Sequence, residues 1–241
     1  MFGQAHAVRP IPGAVATLGE NARTSFIKRT YGHLAAAVAA FVLLEIALFK
    51  AGAADTIAMW AFGGGQWNWL IFLGLFMVVG YVADRWARSE HSQAMQYLGL
   101  ALYIVAEAII FVPLLYVAAF YSHPDVIPNA AVLTLLIFGG LTATVLVTRK
   151  DFSFLRGALA IGMLAAFGAI VGGILFGFNL GLFFSIAMVV LASGYILYYT
   201  SNVLHHYRTD QHVAASLALF ASVALLFWYI LQIVISFSGR D

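Results

Sequence analysis

Apolar residues fall in seven long runs, and the breaks between them carry most of the charges, glycines and prolines. The runs are Tyr31–Phe49, Trp67–Ala83, Ala94–Tyr121, Ala130–Thr148, Gly157–Phe178, Leu180–Thr200 and Val213–Phe237. A bilayer core about 30 Å thick needs roughly 20 apolar residues at ~1.5 Å each, so every run predicts a membrane-spanning helix. The predicted fold class is therefore all-α integral membrane, with seven transmembrane helices. Only Gly177-Phe178-Asn179 separates the fifth run from the sixth, which calls for a tight hairpin. Residues 1–29 are a different material, with Arg9, Pro10, Pro12, Gly13, Glu20, Arg23, Lys28 and Arg29 and no apolar run. They are expected to form a soluble N-terminal tail, partly helical near the membrane. Residues 30–238 form the membrane domain and 239–241 its far end. A leader of this length, and Glu45 inside the first run, argue for a retained span and against a signal peptide.

Composition agrees: 63% of residues are hydrophobic and 9% charged, far from a soluble chain. Twelve Lys and Arg against ten Asp and Glu leave a formal charge of +2, too little for a nucleic-acid surface. The absence of cysteine excludes disulfides, thiolate metal sites and a cysteine nucleophile. The placement of charge says more than its amount. Ten of the twelve basic residues lie in the tail and in the second-third, fourth-fifth and sixth-seventh loops, with only Lys50 and Arg240 opposite. Because Lys and Arg are retained on the cytoplasmic side, the N-terminus is expected in the cytoplasm and the C-terminus outside. Trp60, Phe62, Trp67 and Trp69 would then mark the outer interface, and Trp86, Tyr198 and Tyr207 the inner one.

Two acids stand well inside the predicted spans, where each costs about 2.5–3.5 kcal/mol on insertion scales. Glu45 lies 14 residues up from Tyr31 and Glu107 13 residues up from Ala94, so the two are expected at one depth, about 20 Å from the inner side. If the first and third spans touch, their carboxyls share a proton or a cation. The alternative is two separate protonated carboxyls, each bonded to a neighbouring carbonyl. Pro113 frees the carbonyl of Ile109 above Glu107 and suggests a polar pocket there. Asp84, beside Arg85, reads as a solvated helix-end charge. His205, His206 and His212 form an interfacial cluster without metal-ligand spacing, and no metal or cofactor is implied. The small-residue patterns Gly168-xxx-Gly172 and Gly173-xxx-Gly177 read as helix packing. No nucleophile has a base partner and no zinc motif occurs, so an enzyme is not expected.

Leu146 to Gly157, reading L-V-T-R-K-D-F-S-F-L-R-G, resembles the T-R-K-D-x-S-F-L-x-G signature of the transmembrane Bax inhibitor motif family, closest to its bacterial YccA-like branch. Its signature residues here are Arg149, Lys150, Asp151 and Ser153. A second stretch, Ala192 to His205, carries Thr200, Ser201 and Asn202 and is similar to the same branch, as are Thr30-Tyr31 and the closing Gly239-Arg240-Asp241. The resemblance covers roughly residues 24–241. It implies a bacterial inner-membrane protein of seven helices with the last surrounded by the other six. Some members of the family resemble pH-gated calcium leaks built on an aspartate pair. Those positions correspond here to Tyr199 and Ser222, which are uncharged, so a leak in this chain would have to use Glu45 and Glu107 instead, with calcium or protons as cargo. A contact between the Tyr199 and Ser222 hydroxyls is a further expectation. The YccA-like branch implies instead a modulator and substrate of the membrane protease FtsH, engaged through the N-terminal tail.

Overall fold

The computed structural model describes residues 14–17, 19–90 and 92–238. The first thirteen residues of the expected tail, and the closing Gly239-Arg240-Asp241, lie outside them. Eight α-helices follow in chain order: α1 Glu20–Lys50, α2 Ala53–Gly63, α3 Gly65–Ala87, α4 Gln93–Phe120, α5 Val126–Thr148, α6 Leu155–Phe176, α7 Gly181–His205 and α8 His212–Ser238. Seven of them are long and apolar enough to cross a membrane, and α2 is a short extra helix in the first connection. The chain is an all-α, seven-span membrane protein.

The seventh span is the core of the bundle. Most of α8 is buried, from His212 through Leu231, because α1, α3, α4, α5 and α7 pack directly around it. The sixth partner, α6, approaches it through Ala166, in a small cluster with Met188 and Tyr229. Only Leu159 and Ala166 of α6 are buried, and Ile161, Leu164, Leu175 and Phe176 leave much apolar surface exposed. In a chain where every helix is hydrophobic all round, the helix in the middle is chosen by packing rather than by polarity.

Each end of the bundle has its own ties. At one end the backbone N–H of Val15 donates to the Tyr207 carbonyl at 2.9 Å, and Ala14 pairs with Arg208. The same end holds the turns between α3 and α4, α5 and α6, and α7 and α8, and with them most of the arginines, so we call it the basic end. At the opposite end His123 N–H donates to Ser238 Oγ at 3.3 Å. The stretch read as a soluble tail is thus structured from Ala14 on: Val15 is fully buried, and Glu20 already starts α1. Its Phe26, Thr30, Leu34, Ala37, Phe41 and Glu45 form one buried stripe at spacings of three and four residues.

Glycine sets two close approaches. A Cβ on Gly99 of α4 would lie 2.5 Å from both the Ala83 carbonyl and the Ala87 nitrogen of α3, so these backbones cross in contact only because the side chain is missing. The expected glycine patterns on α6 work differently. Gly172 and Gly173 receive Phe178 of the following turn, Gly177 is the left-handed cap at φ +72°, and nothing approaches Gly168. They admit the returning hairpin rather than a second helix. Asn179 Oδ1 closes that turn by accepting from Gly181 N–H at 2.8 Å.

Candidate functional site

The two signature stretches meet at the basic end. Helix α5 stops at Arg149, which takes the left-handed conformation at φ 52°, alone among the described non-glycine residues. This sharp exit carries Asp151 back over the end of α7. Asp151 Oδ1 accepts from Ser153 N–H at 2.8 Å, a local turn that shapes the loop, and from Ser201 Oγ at 3.2 Å. Ser201 Oγ in turn accepts from Phe152 N–H at 2.8 Å. The other carboxylate oxygen lies 3.1 Å from His206 Nε2, and His205 Nε2 lies 3.1 Å from the Arg149 carbonyl. Partial burial pushes the Asp151 carboxyl up, but the Ser153 bonds and the charge of His206 outweigh it and hold it below the usual carboxylate range. Of the signature residues, Arg149, Asp151, Ser153 and Ser201 therefore form one lock. Lys150 is exposed, Thr200 and Asn202 are buried alongside, and the Thr200 hydroxyl converges with those of Tyr31 and Thr142.

Beside the lock opens a cavity of about 480 Å³ between α3, α6 and α7, lined by polar residues including Arg88, Arg156, Tyr198, Tyr199 and Asn202. Asp84 lies against it through Arg88, whose Nε donates to both carboxylate oxygens at 2.8 and 2.9 Å. Asp84, expected as a solvated helix-end charge, thus pairs with Arg88 rather than with the adjacent Arg85, because residues four apart share a helix face and adjacent ones do not. The Asp84 bond outweighs partial burial and raises the Arg88 pKa above its ordinary value, and burial pushes the Tyr207 phenol up. Nothing in the sequence marked this cavity. Its residues come from three helices and the turns at their ends, and Tyr198, Tyr199, Asn202, His206 and Tyr207 had been singled out only for other reasons.

Tyr199 and Ser222 do not meet. Tyr199 stacks on Tyr195 with ring centroids at 5.8 Å, meets Tyr198 edge to face at 5.0 Å, and lines the cavity. Ser222 Oγ donates to Ala218 O of its own helix at 2.8 Å. A buried serine finds its nearest acceptor one turn back, so no cross-helix partner is required. His212, the third histidine of the expected cluster, turns away from the other two and packs on His33 at 5.0 Å.

Glu45 and Glu107 are both buried, at 7% and 5% exposure, on the facing stripes of α1 and α4. They do not share a depth. Phe41 of α1 meets Phe111 of α4 edge to face at 5.1 Å, and Phe111 also packs on Phe227 and Trp228. Glu45 lies one turn past Phe41, and Glu107 one turn before Phe111. Since α1 and α4 run parallel, the carboxyls are about 12 Å apart along the axis, with an aromatic layer between them. Counting from the apparent starts of the two runs misjudged the register, because α1 begins eleven residues before Tyr31 whereas α4 begins one residue before Ala94. Neither Glu45 oxygen has a hydrogen-bond partner among the described residues, and the polar neighbour of Glu107 is Tyr103 on its own helix. Neither acid lines the basic-end cavity or the second cavity, of about 310 Å³, between Phe62, Trp69, Trp228 and Gln232. Pro113 borders that second, largely apolar space, which Glu107 does not line.

The profile of the family described as inhibitor of apoptosis-promoting Bax1 matches residues 23–239. Over 118 residues the chain is 38% identical to an uncharacterized protein of Pseudomonas aeruginosa and 36% identical to the modulator of FtsH protease YccA of Escherichia coli. Both alignments take in 48% of this chain and 53% of the relative, so the chain spans about half the length of these curated relatives. Against Bax inhibitor 1 of Schizosaccharomyces pombe identity is 26% over 232 residues, 94% of this chain and 82% of that protein.

Proposed function

The chain belongs to the family of inhibitors of apoptosis-promoting Bax1, and from that premise we propose that it is a non-enzymatic modulator, and itself a substrate, of the membrane protease FtsH in membrane-protein quality control. In this reading the protein sits in the bacterial inner membrane with its basic end in the cytoplasm, following the distribution of Lys and Arg. The similarity to YccA, which is named a modulator of FtsH protease, supports the modulator part of the assignment. The observation that carries the manner of engagement is the docking of Ala14 and Val15 on Tyr207 and Arg208. A protease that pulls on a loose end has no purchase on a backbone hydrogen-bonded and buried in this way. In this reading the protease engages the residues that precede Ala14 in the sequence, a shorter segment than the 29 residues first expected.

Deleting residues 2–13 tests this in proteoliposomes with purified FtsH. The truncated chain should unfold thermally at the wild-type temperature and resist degradation. Degradation at the wild-type rate would refute engagement through this segment. The other reading, a pH-dependent calcium or proton leak through Glu45 and Glu107, is less well supported, since an aromatic layer parts the two acids and neither lines the basic-end cavity or the second one.

A further inference from the structure

The basic-end cavity contains more hydrogen-bond donors than its own residues use. Arg88 engages Asp84 through Nε alone, and neither of its terminal amino groups has a bond among the described residues. The guanidinium of Arg156, in the first turn of α6, has no hydrogen-bond partner among them. Gln211 uses its side-chain oxygen to accept from Arg208 N–H, and its amide NH₂ has no acceptor among the described residues. Tyr198, Tyr199 and Asn202 also line the cavity. The acidic groups nearby are already engaged: Asp84 with Arg88, and Asp151 with His206, Ser153 and Ser201. Two guanidiniums with unused donors, both lining a cavity in the usual size range for small ligands, suit an oxyanion with several acceptor oxygens, above all a phosphate group.

Position selects the source of the phosphate. The cavity lies at the end of the spans, where headgroups lie, in the gap between α3 and the loosely held α6. Its wall includes Ala160, and Leu164, one turn further along the same face of α6, is 72% exposed, as is the neighbouring Ile161. An apolar track thus leads from the arginines into the hydrocarbon layer. A soluble phosphate has no use for such a track, but an acyl chain does. We infer that the cavity bounded by Arg88, Arg156, Tyr198 and Gln211 is a binding site for the headgroup phosphate of an anionic glycerophospholipid, with an acyl chain lying along Ala160 and Leu164.

The test uses the full chain purified in a nonionic detergent and titrated with phosphatidylglycerol, with phosphatidylcholine of the same acyl chains, and with glycerol 3-phosphate. Thermal unfolding and native mass spectrometry are the readouts. Phosphatidylglycerol should raise the unfolding temperature and remain bound at one molecule per chain, and the other two should do neither at the same concentration. The double substitution R88Q/R156Q should weaken phosphatidylglycerol binding at least about tenfold, the equivalent of one lost charge-assisted bond. R85Q, which removes a charge from the same end but not from the cavity, should leave it unchanged. Because Arg88→Gln also releases Asp84, Arg156→Gln alone provides a variant without that disturbance, and it too should weaken binding. Unchanged binding in R156Q and in the double variant, or an equal response to phosphatidylcholine, would overturn the site. Glycerol 3-phosphate binding as tightly as the lipid would overturn the lipid source.

Discussion

The basic end and the middle of the bundle treat their carboxylates in opposite ways. Asp151 sits in a web drawn from two distant stretches of chain, with Ser153, Ser201 and His206 all bonded to it. Glu45 has no hydrogen-bond partner among the described residues, and an aromatic layer stands between it and Glu107. Near water, loops can bend until a charge is satisfied. In the bundle, helices are straight and their side chains meet in layers, so an acid on the inner stripe takes whatever neighbour its level provides. The organised polar chemistry of this protein therefore lies at its basic end, although the intramembrane acids draw the eye first in the sequence.

Substitutions can break this contrast, and the largest effect should come from the layer itself. Phe111→Ala removes a ring that touches Phe41, Phe227 and Trp228, and should destabilise the bundle by about 3–5 kcal/mol in thermal or denaturant unfolding. Gly99→Ala pushes a Cβ into the α3 backbone just below the basic end and should lose about 1–3 kcal/mol. By contrast Gly139→Ala, with nothing within 4 Å, should leave the unfolding temperature where it is or raise it slightly.

At the lock itself, Asp151→Asn should lose about 1 kcal/mol at neutral pH, a modest figure because the site is partly solvated. The sign with pH follows from its lowered pKa. The carboxylate stabilises the fold above its unfolded-state pKa of about 3.9, and this contribution disappears as pH falls through that value and the lower folded one. Unfolding measured from pH 7 to pH 3 should show an acid-sensitive component in the wild type that the variant lacks. The smallest effect is expected in the membrane interior. If the two acids are independent, the changes caused by Glu45→Gln and Glu107→Gln should add to within about 0.5 kcal/mol in a double-mutant cycle. A larger coupling would show that the layer does not insulate them.

Much of the fold could be read from periodicity and length alone. All seven spans were visible, as was the tight turn between α6 and α7, because a run of about 20 apolar residues has one inexpensive conformation in a bilayer. Helix α2 escaped notice because eleven residues are too few to span, and helix in the tail near the membrane was expected but its start at Glu20 was not fixed, because Glu20, Arg23, Lys28 and Arg29 are as compatible with a helix outside the membrane as with a loop. Of the candidate site, the signature stretches could be read as motifs. Their meeting could not, since Asp151 and Ser201 are fifty residues apart in the chain.

Hydrophobicity, counted along the chain, determined by itself that this protein crosses a membrane seven times, and the distribution of Lys and Arg singled out one end as basic. Only the tertiary structure decided which helix is central, that Glu45 and Glu107 stand on different levels, and that Arg88 and Arg156 face one cavity. Hydropathy and charge are properties of residues and can be read one position at a time. Rotation and axial register between helices depend on how side chains interlock across an interface, and in a bundle where every face is apolar no periodic pattern along one helix records which face its neighbour will cover.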